Sequence, residues 1–301
     1  MVGGVTDYRE HRYTSACGRL ELFARDYGAP DRDGDGSGRP LLLMHGLTRN
    51  SADFEPLAAH LAPAYRLIVP DQRGRGLSQD DPDPANYRPD VYAGDMFALL
   101  ASLKIESPAL IGTSMGGLMA MVMNAMQPGA FPAIVFNDVG PELAPEGLAR
   151  IGSYVGGGSS FANWDEAARA CAAINAQAFP DFVEADWQQW ARRTCRVLDD
   201  GRIAFAYDPA IAQGFANVGT DGEPGEQEDL WPLWEMLGET PVLVIRGALS
   251  DLLAPDTVTS MKQRHQGPFT HVDVPNRGHA PLLDEPEALS AITAFLKEHC
   301  G

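Results

Sequence analysis

The sequence has little cysteine, a shortage of positive charge and no long hydrophobic run. Its four cysteines, Cys17, Cys171, Cys195 and Cys300, form no C-x-x-C pair and no metal-ligand spacing, so structural disulfides are not expected. Lysine and arginine together number 23 against 41 acidic residues, a formal charge of −18. A field of that sign repels phosphate backbones and anionic membranes, so nucleic acid is not an expected partner. No stretch approaches the length of a membrane span, and the first residues hold no basic segment leading into an apolar core. Neither a membrane nor an export signal is therefore expected, and the location is read as cytoplasmic. Fixed-period repeats and low-complexity tracts are also absent. Acidic stretches such as Asp31 to Gly36 and Asp80 to Asp83 read as solvated turns. Asp31, Asp33 and Asp35 alternate as in a calcium loop, but the distant glutamate that completes the motif is missing. No metal and no other cofactor is expected.

What is present is an apolar fraction of 45% in 301 residues, ample for a buried core in one large or two small domains. Strand patterns around Tyr13 to Tyr27, Pro40 to Met44, Tyr65 to Pro70, Ala109 to Gly112, Ala133 to Asn137, Pro241 to Ser250 and Thr270 to Val274 alternate with helical ones. The helical patterns include Asp90 to Leu103 and Met115 to Met126. Such alternation predicts an α/β fold with a mostly parallel sheet covered on both faces, which binds ligands beyond the carboxyl ends of its strands. Between Gly140 and about Leu230 the alternation stops. Helices over Asp165 to Ala176 and Ala185 to Val197 take its place, which predicts a core of residues 1–139 and 231–301 and an inserted helical cap over 140–230. Tyr154, Phe161, Trp164, Phe179, Phe182, Trp187, Trp190 and Phe215 are candidates to roof an apolar pocket, although Trp187 and Trp190 at helical spacing also suit plain core packing. Met115, Met119, Met123 and Met126 read as the buried face of one helix, with only Met115 near a site.

Leu110-Ile-Gly112-Thr-Ser114-Met-Gly116-Gly117 is a buried-strand pattern running into G-x-S-x-G and then into an apolar helix. In that setting Ser114 stands on a sharp strand-to-helix turn, where side chains at 112 and 116 would collide and glycine is required. A serine hydroxyl is a feeble nucleophile near neutral pH. It needs a base to take its proton, and the base needs a carboxylate to hold its tautomer. His279 is the chosen base, because it sits in a loop directly after the last strand pattern. Asp251, in the loop after the continuous apolar run from Pro241, is the chosen acid. Asp138, at the end of Ala133 to Asp138, is the alternative acid, with a turn cap before Gly140-Pro141 as its other reading. Attack on a carbonyl creates an oxyanion that fixed donors must face. The backbone amides of Met115 and of Leu47, after the His45-Gly46 turn, are the expected donors. His45 is read as stabilising that turn.

Five stretches in this order resemble the successive landmarks of the α/β-hydrolase fold. They are His45-Gly46, Asp71-Gln-Arg-Gly74-Arg-Gly76-Leu-Ser78, Gly112-Thr-Ser114-Met-Gly116-Gly117, Gly247-Ala-Leu-Ser-Asp251 and Gly278-His279, and they span nearly the whole chain. The Ser-Met-Gly-Gly form is similar to that of esterases, lactonases, cofactor-free haloperoxidase-like proteins and carbon–carbon bond hydrolases. Serine at 114 speaks against the branch whose elbow nucleophile is aspartate. The resemblance implies a serine hydrolase acting on a small or medium apolar ester, thioester or lactone, so the expected partner is a small apolar acyl substrate. Two alternatives stay open: cleavage of a carbon–carbon bond in a ring-fission dienoate or perhydrolysis, and a non-catalytic binding protein on the same scaffold.

Overall fold

Short runs of leucine, isoleucine and valine form the middle of the molecule, because strands buried on both faces need apolar residues at successive positions. In the computed structural model, residues 7–28, 39–158, 160–213 and 229–300 are described. Asp31, Asp33, Asp35 and Phe215 lie outside them. The chain forms β1 (Arg9–Thr14), β2 (Glu21–Tyr27), β3 (Leu41–Met44), α1 (Glu55–Leu61), β4 (Leu67–Asp71), α2 (Pro89–Leu103), β5 (Ala109–Thr113), α3 (Met115–Met126) and β6 (Ile134–Asn137). There follow α4 (Pro145–Tyr154), β7 (Ser160–Phe161), α5 (Trp164–Asn175), α6 (Glu184–Thr194), β8 (Cys195–Val197) and β9 (Ile203–Phe205). After residue 228 come α7 (Trp231–Glu235), β10 (Val242–Gly247), α8 (Pro255–Arg264), β11 (Phe269–Val274) and α9 (Pro286–Cys300).

Eight strands make one sheet in the order β1-β2-β4-β3-β5-β6-β10-β11. β2 runs antiparallel to β1 and β4, and every pair from β4 to β11 is parallel. Alternate side chains divide between two cores, as the period of two requires. Leu42, Met44, Leu110, Val242 and Val244 join the cluster beneath α2, α3 and α8, whereas Leu41, Leu43, Ile111, Leu243 and Ile245 join that beneath α1 and α9. The mostly parallel α/β sheet expected from the alternation is therefore present. Among the described residues no helix is long and apolar enough to cross a membrane.

Two expectations need correction. The segment between β6 and α7 is not helical throughout: β7, β9 and β8 form a second, three-stranded sheet, antiparallel in both pairings. The helix expected to run to Val197 stops at Thr194, and Cys195–Val197 pairs with Ile203–Phe205 instead. The turn between them explains this. Gly201 takes φ +83, a left-handed conformation that glycine adopts freely, and Leu198 N donates to Arg202 O at 2.7 Å. The second correction concerns the methionine face of α3. Met115, Met119 and Met123 are buried, but Met126 at the helix end is 53% exposed. Trp187, Phe179, Cys171 and Ala191 belong to a separate apolar cluster, with Phe161, Trp164 and Phe182 packed against it.

Candidate active site

The elbow is set by steric exclusion. A Cβ on Gly112 would lie 2.4 Å from the carbonyl carbon and oxygen of Gly116, and one on Gly116 would lie 2.1 Å from Met44 O. Glycine at both positions lets β5, α3 and β3 approach closely enough to form the turn. Ser114 itself takes φ 53, ψ −117, a conformation that L-residues avoid and that persists only when the surroundings over-determine it.

Ser114 Oγ lies 2.8 Å from His279 Nε2, and His279 Nδ1 lies 2.8 Å from Asp138 Oδ2. The carboxylate can only accept from Nδ1–H, so Nε2 is the acceptor for the serine proton. The acid beside His279 is therefore Asp138. Asp251, the expected acid, makes no hydrogen bond to the imidazole among the described residues: Arg150 on α4 donates Nη2 to its Oδ1 at 2.8 Å and Nε to its Oδ2. That pairing holds the Asp251 carboxyl below its usual range, with the arginine hydrogen bond as the main cause. Asp138 is fully buried, also at a left-handed φ of 56. Gly247 N donates to its Oδ1 at 2.8 Å and Ser250 Oγ to its Oδ2 at 2.6 Å. These two donors and the imidazole satisfy a carboxylate that has no water to turn to. Arg150 removed one candidate, and the loop after β10 built its hydrogen bonds around the other.

Further hydrogen bonds hold the loops in register. Asn137 Nδ2 donates to Thr113 Oγ1 at 3.0 Å and to Pro281 O at 2.9 Å, tying the elbow strand to the His279 loop. The segment between β6 and α7 also holds that loop, since Gly278 N donates to Ala178 O at 2.7 Å and Arg277 Nη1 to Asp181 at 2.6 Å.

The Leu47 and Met115 amides donate to no acceptor among the described residues. At Met115 this follows from its place at the start of α3, where the first four N–H groups have no intrahelical partner. At Leu47 it follows from how the loop is anchored. His45, fully buried, has Nδ1 2.7 Å from Gly46 O and receives the Gln72 amide on Nε2 at 3.0 Å. Nε2 thus accepts and Nδ1–H donates, which fixes the neutral tautomer. Arg75 Nε donates to Leu47 O at 2.9 Å, with Nη1 on Arg73 O and on the Tyr92 hydroxyl. The sequence reading did not single out Arg75 or Ser250. For Arg75 the only available signal was a second arginine inside the Arg73-Gly-Arg75-Gly76 turn.

Burial pushes the His45 imidazole down to about 4, and this gives a testable stability effect. The unfolded chain takes up a proton near pH 6.5 that the folded chain refuses until about pH 4. The stabilisation is complete above pH 6.5 and is lost as pH falls through that window, at about 1.4 kcal/mol per pH unit. Denaturant unfolding of the wild type and His45→Gln should show the difference in stability shrinking with that slope from pH 6.5 to 4. A pH-independent difference would show that His45 is not held neutral.

One open cleft of about 900 Å³, part of it continuous with solvent, runs over Ser114 and His279. Of the aromatic residues expected to roof it, Tyr154 and Trp190 line it, joined by Phe205 and Tyr207. A family model described as the α/β hydrolase fold matches residues 39–286. The chain belongs to the α/β-hydrolase family. It is 42% identical to an α/β hydrolase from Novosphingobium aromaticivorans whose crystal structure superposes with a TM-score of 0.88, covering 98% of this chain and 99% of that one. The 3-hydroxybutyrate-oligomer hydrolase of Cupriavidus necator is 35% identical over 85% of this chain and 88% of its own length. The 2-(acetamidomethylene)succinate hydrolase of Mesorhizobium japonicum is 30% identical over 93% of this chain and 92% of its own. This family member is a hydrolase.

Proposed function

We propose that the protein is a serine carboxylesterase for short esters of hydroxy acids, working through an acyl-enzyme on Ser114. The observation that carries this reading is the unbroken hydrogen-bonded chain from Asp138 through His279 to Ser114 at the floor of the cleft. Ser114 Oγ attacks the ester carbonyl carbon while His279 Nε2 takes its proton, and the Asp138 carboxylate stabilises the imidazolium. The tetrahedral oxyanion accepts from the Leu47 and Met115 amides, which are free before substrate arrives and need no reorganisation to receive it. As the intermediate collapses, the carbon–oxygen bond to the alcohol breaks and His279 protonates the leaving oxygen. Water then attacks the acyl carbon, gives its proton to His279, and the carboxylic acid departs as that proton returns to Ser114.

The substrate class is supported by the kinship with the 3-hydroxybutyrate-oligomer hydrolase and by a cleft lined with Ile151, Ile174, Trp190 and Leu282. These walls suit a short aliphatic chain. Initial rates on p-nitrophenyl butyrate, the 3-hydroxybutyrate dimer, an N-acyl enamide and a ring-fission dienoate test the reading. Both esters should turn over, the dimer at the higher kcat/KM. Turnover of the enamide or the dienoate in preference to both esters would contradict it.

A further inference from the structure

The wall of the cleft beside Ser114 carries a guanidinium with donors to spare. The Arg49 amide closes a turn onto Gly46 O at 3.1 Å. A Cβ placed on Gly46 would stand 3.6 Å from Ser114 Cβ and 3.7 Å from Arg49 Cγ, so the nucleophile and the arginine stem both border the space beside Gly46. Nε donates to Asp53 Oδ2 at 2.6 Å and Nη2 to Oδ1. The guanidinium carbon stands 4.0 Å from the centre of the Trp190 ring. These contacts fix its plane, yet Nη1 has no partner among the described residues, and Arg49, Asp53 and Trp190 all line the cleft.

Asp53 cancels the charge of Arg49 but not the direction of its remaining donors. What the cleft offers at this point is a rigid pair of N–H groups with little net field, framed by apolar side chains. That matches an oxygen with exposed lone pairs and gives nothing to a hydrocarbon chain. We propose that Arg49 is a specificity-determining residue, donating from Nη1 to a second carbonyl or carboxylate oxygen of the substrate, one unit along from the ester that Ser114 attacks. Oligoesters of short hydroxy acids carry that oxygen, and simple alkyl or aryl alkanoates do not. The proposal rests on the esterase reading and sharpens its substrate class.

The test compares kcat/KM for the 3-hydroxybutyrate dimer with that for p-nitrophenyl butyrate in the wild type, Arg49→Met and Arg49→Lys, with melting temperatures alongside. The ratio of dimer to p-nitrophenyl butyrate should fall about 30-fold in Arg49→Met, the size expected when a hydrogen bond from a charged donor is lost. Arg49→Lys keeps a cation against Asp53 and so protects the fold, but a single ammonium engaged by Asp53 has no second arm. Its ratio should fall as well. The dimer as free acid and as methyl ester separates the two sources: loss with the acid alone assigns the oxygen to a terminal carboxylate, and loss with both to a carbonyl. A ratio within threefold of the wild type in both folded variants overturns the proposal, because a merely structural arginine would depress both substrates together. So does a wild type that cleaves p-nitrophenyl butyrate and ignores the dimer. A wild type that cleaves neither ester contradicts the esterase reading itself, and this proposal falls with it.

Discussion

Asp138→Asn should lower kcat about ten-thousand-fold, while Asp251→Asn should lower it less than tenfold. The first magnitude is that of replacing a triad carboxylate by its amide. Asp138 accepts a hydrogen bond from the imidazole Nδ1–H on Oδ2, and the amide variant either presents an NH2 to Nδ1, forcing the wrong tautomer, or accepts without a charge to stabilise the imidazolium. Gly247 N and Ser250 Oγ both donate to the native carboxylate, so they favour an oxygen at each position and hold the amide poorly. Asp251 is a salt-bridge partner of Arg150, partly exposed, and its loss leaves the Ser114 to Asp138 chain intact. Melting temperatures must accompany the rates, since Asp138 is buried and its substitution disturbs the loop after β10. The Nδ1 proton of His279 offers a second readout by proton NMR. Its far-downfield resonance should survive in Asp251→Asn and vanish in Asp138→Asn. Reversed costs in folded proteins would return the role to Asp251.

Much of this site is legible in the sequence. Gly112, Ser114 and Gly116 announce the elbow because the close packing of β5, α3 and β3 leaves no room for a side chain at 112 or 116. His279 follows from its loop after the last strand. The Leu47 amide follows from His45-Gly46, whose tight turn leaves that N–H without a backbone partner among the described residues. The acid was not legible in the same way, because two carboxylates follow the neighbouring strands β6 and β10 and strand patterning treats them alike. What separates them is tertiary: Arg150 on α4 pairs with Asp251, and Ser250 donates across to Asp138. The composition of residues 140–230 had the same blind spot. Apolar periodicity around Trp187 and Trp190 identified α6, but it could not show where helix gives way to strand at Cys195. That switch depends on pairing with β9 across the Gly201 turn.

Ser114→Ala should lower kcat about a million-fold, the cost seen when the nucleophile of a triad acting as one unit is removed. The residual rate over water comes from the free amides and the cleft, which the substitution leaves in place. Alanine at this position keeps the strained turn, since the glycines at 112 and 116 and not the hydroxyl admit the close approach. The variant should therefore melt near the wild-type temperature, and its loss of activity is chemical. Substrate binding should persist, with the dissociation constant for the 3-hydroxybutyrate dimer within a few-fold of that for the wild type by calorimetry. A Ser114→Ala protein that turns over esters within a hundredfold of the wild type would place the nucleophile elsewhere or make water the direct attacker.

The most direct test of the central claim is peptide mapping by mass spectrometry after reaction with a fluorophosphonate, which captures a serine only where a neighbouring base makes it nucleophilic. One phosphonyl group per chain should appear on the peptide that contains Ser114. Labelling should stop in Ser114→Ala, slow strongly in Asp138→Asn and proceed at close to the wild-type rate in Asp251→Asn. A label found on any other residue, or a wild-type protein left unmodified while it hydrolyses esters, would contradict the account.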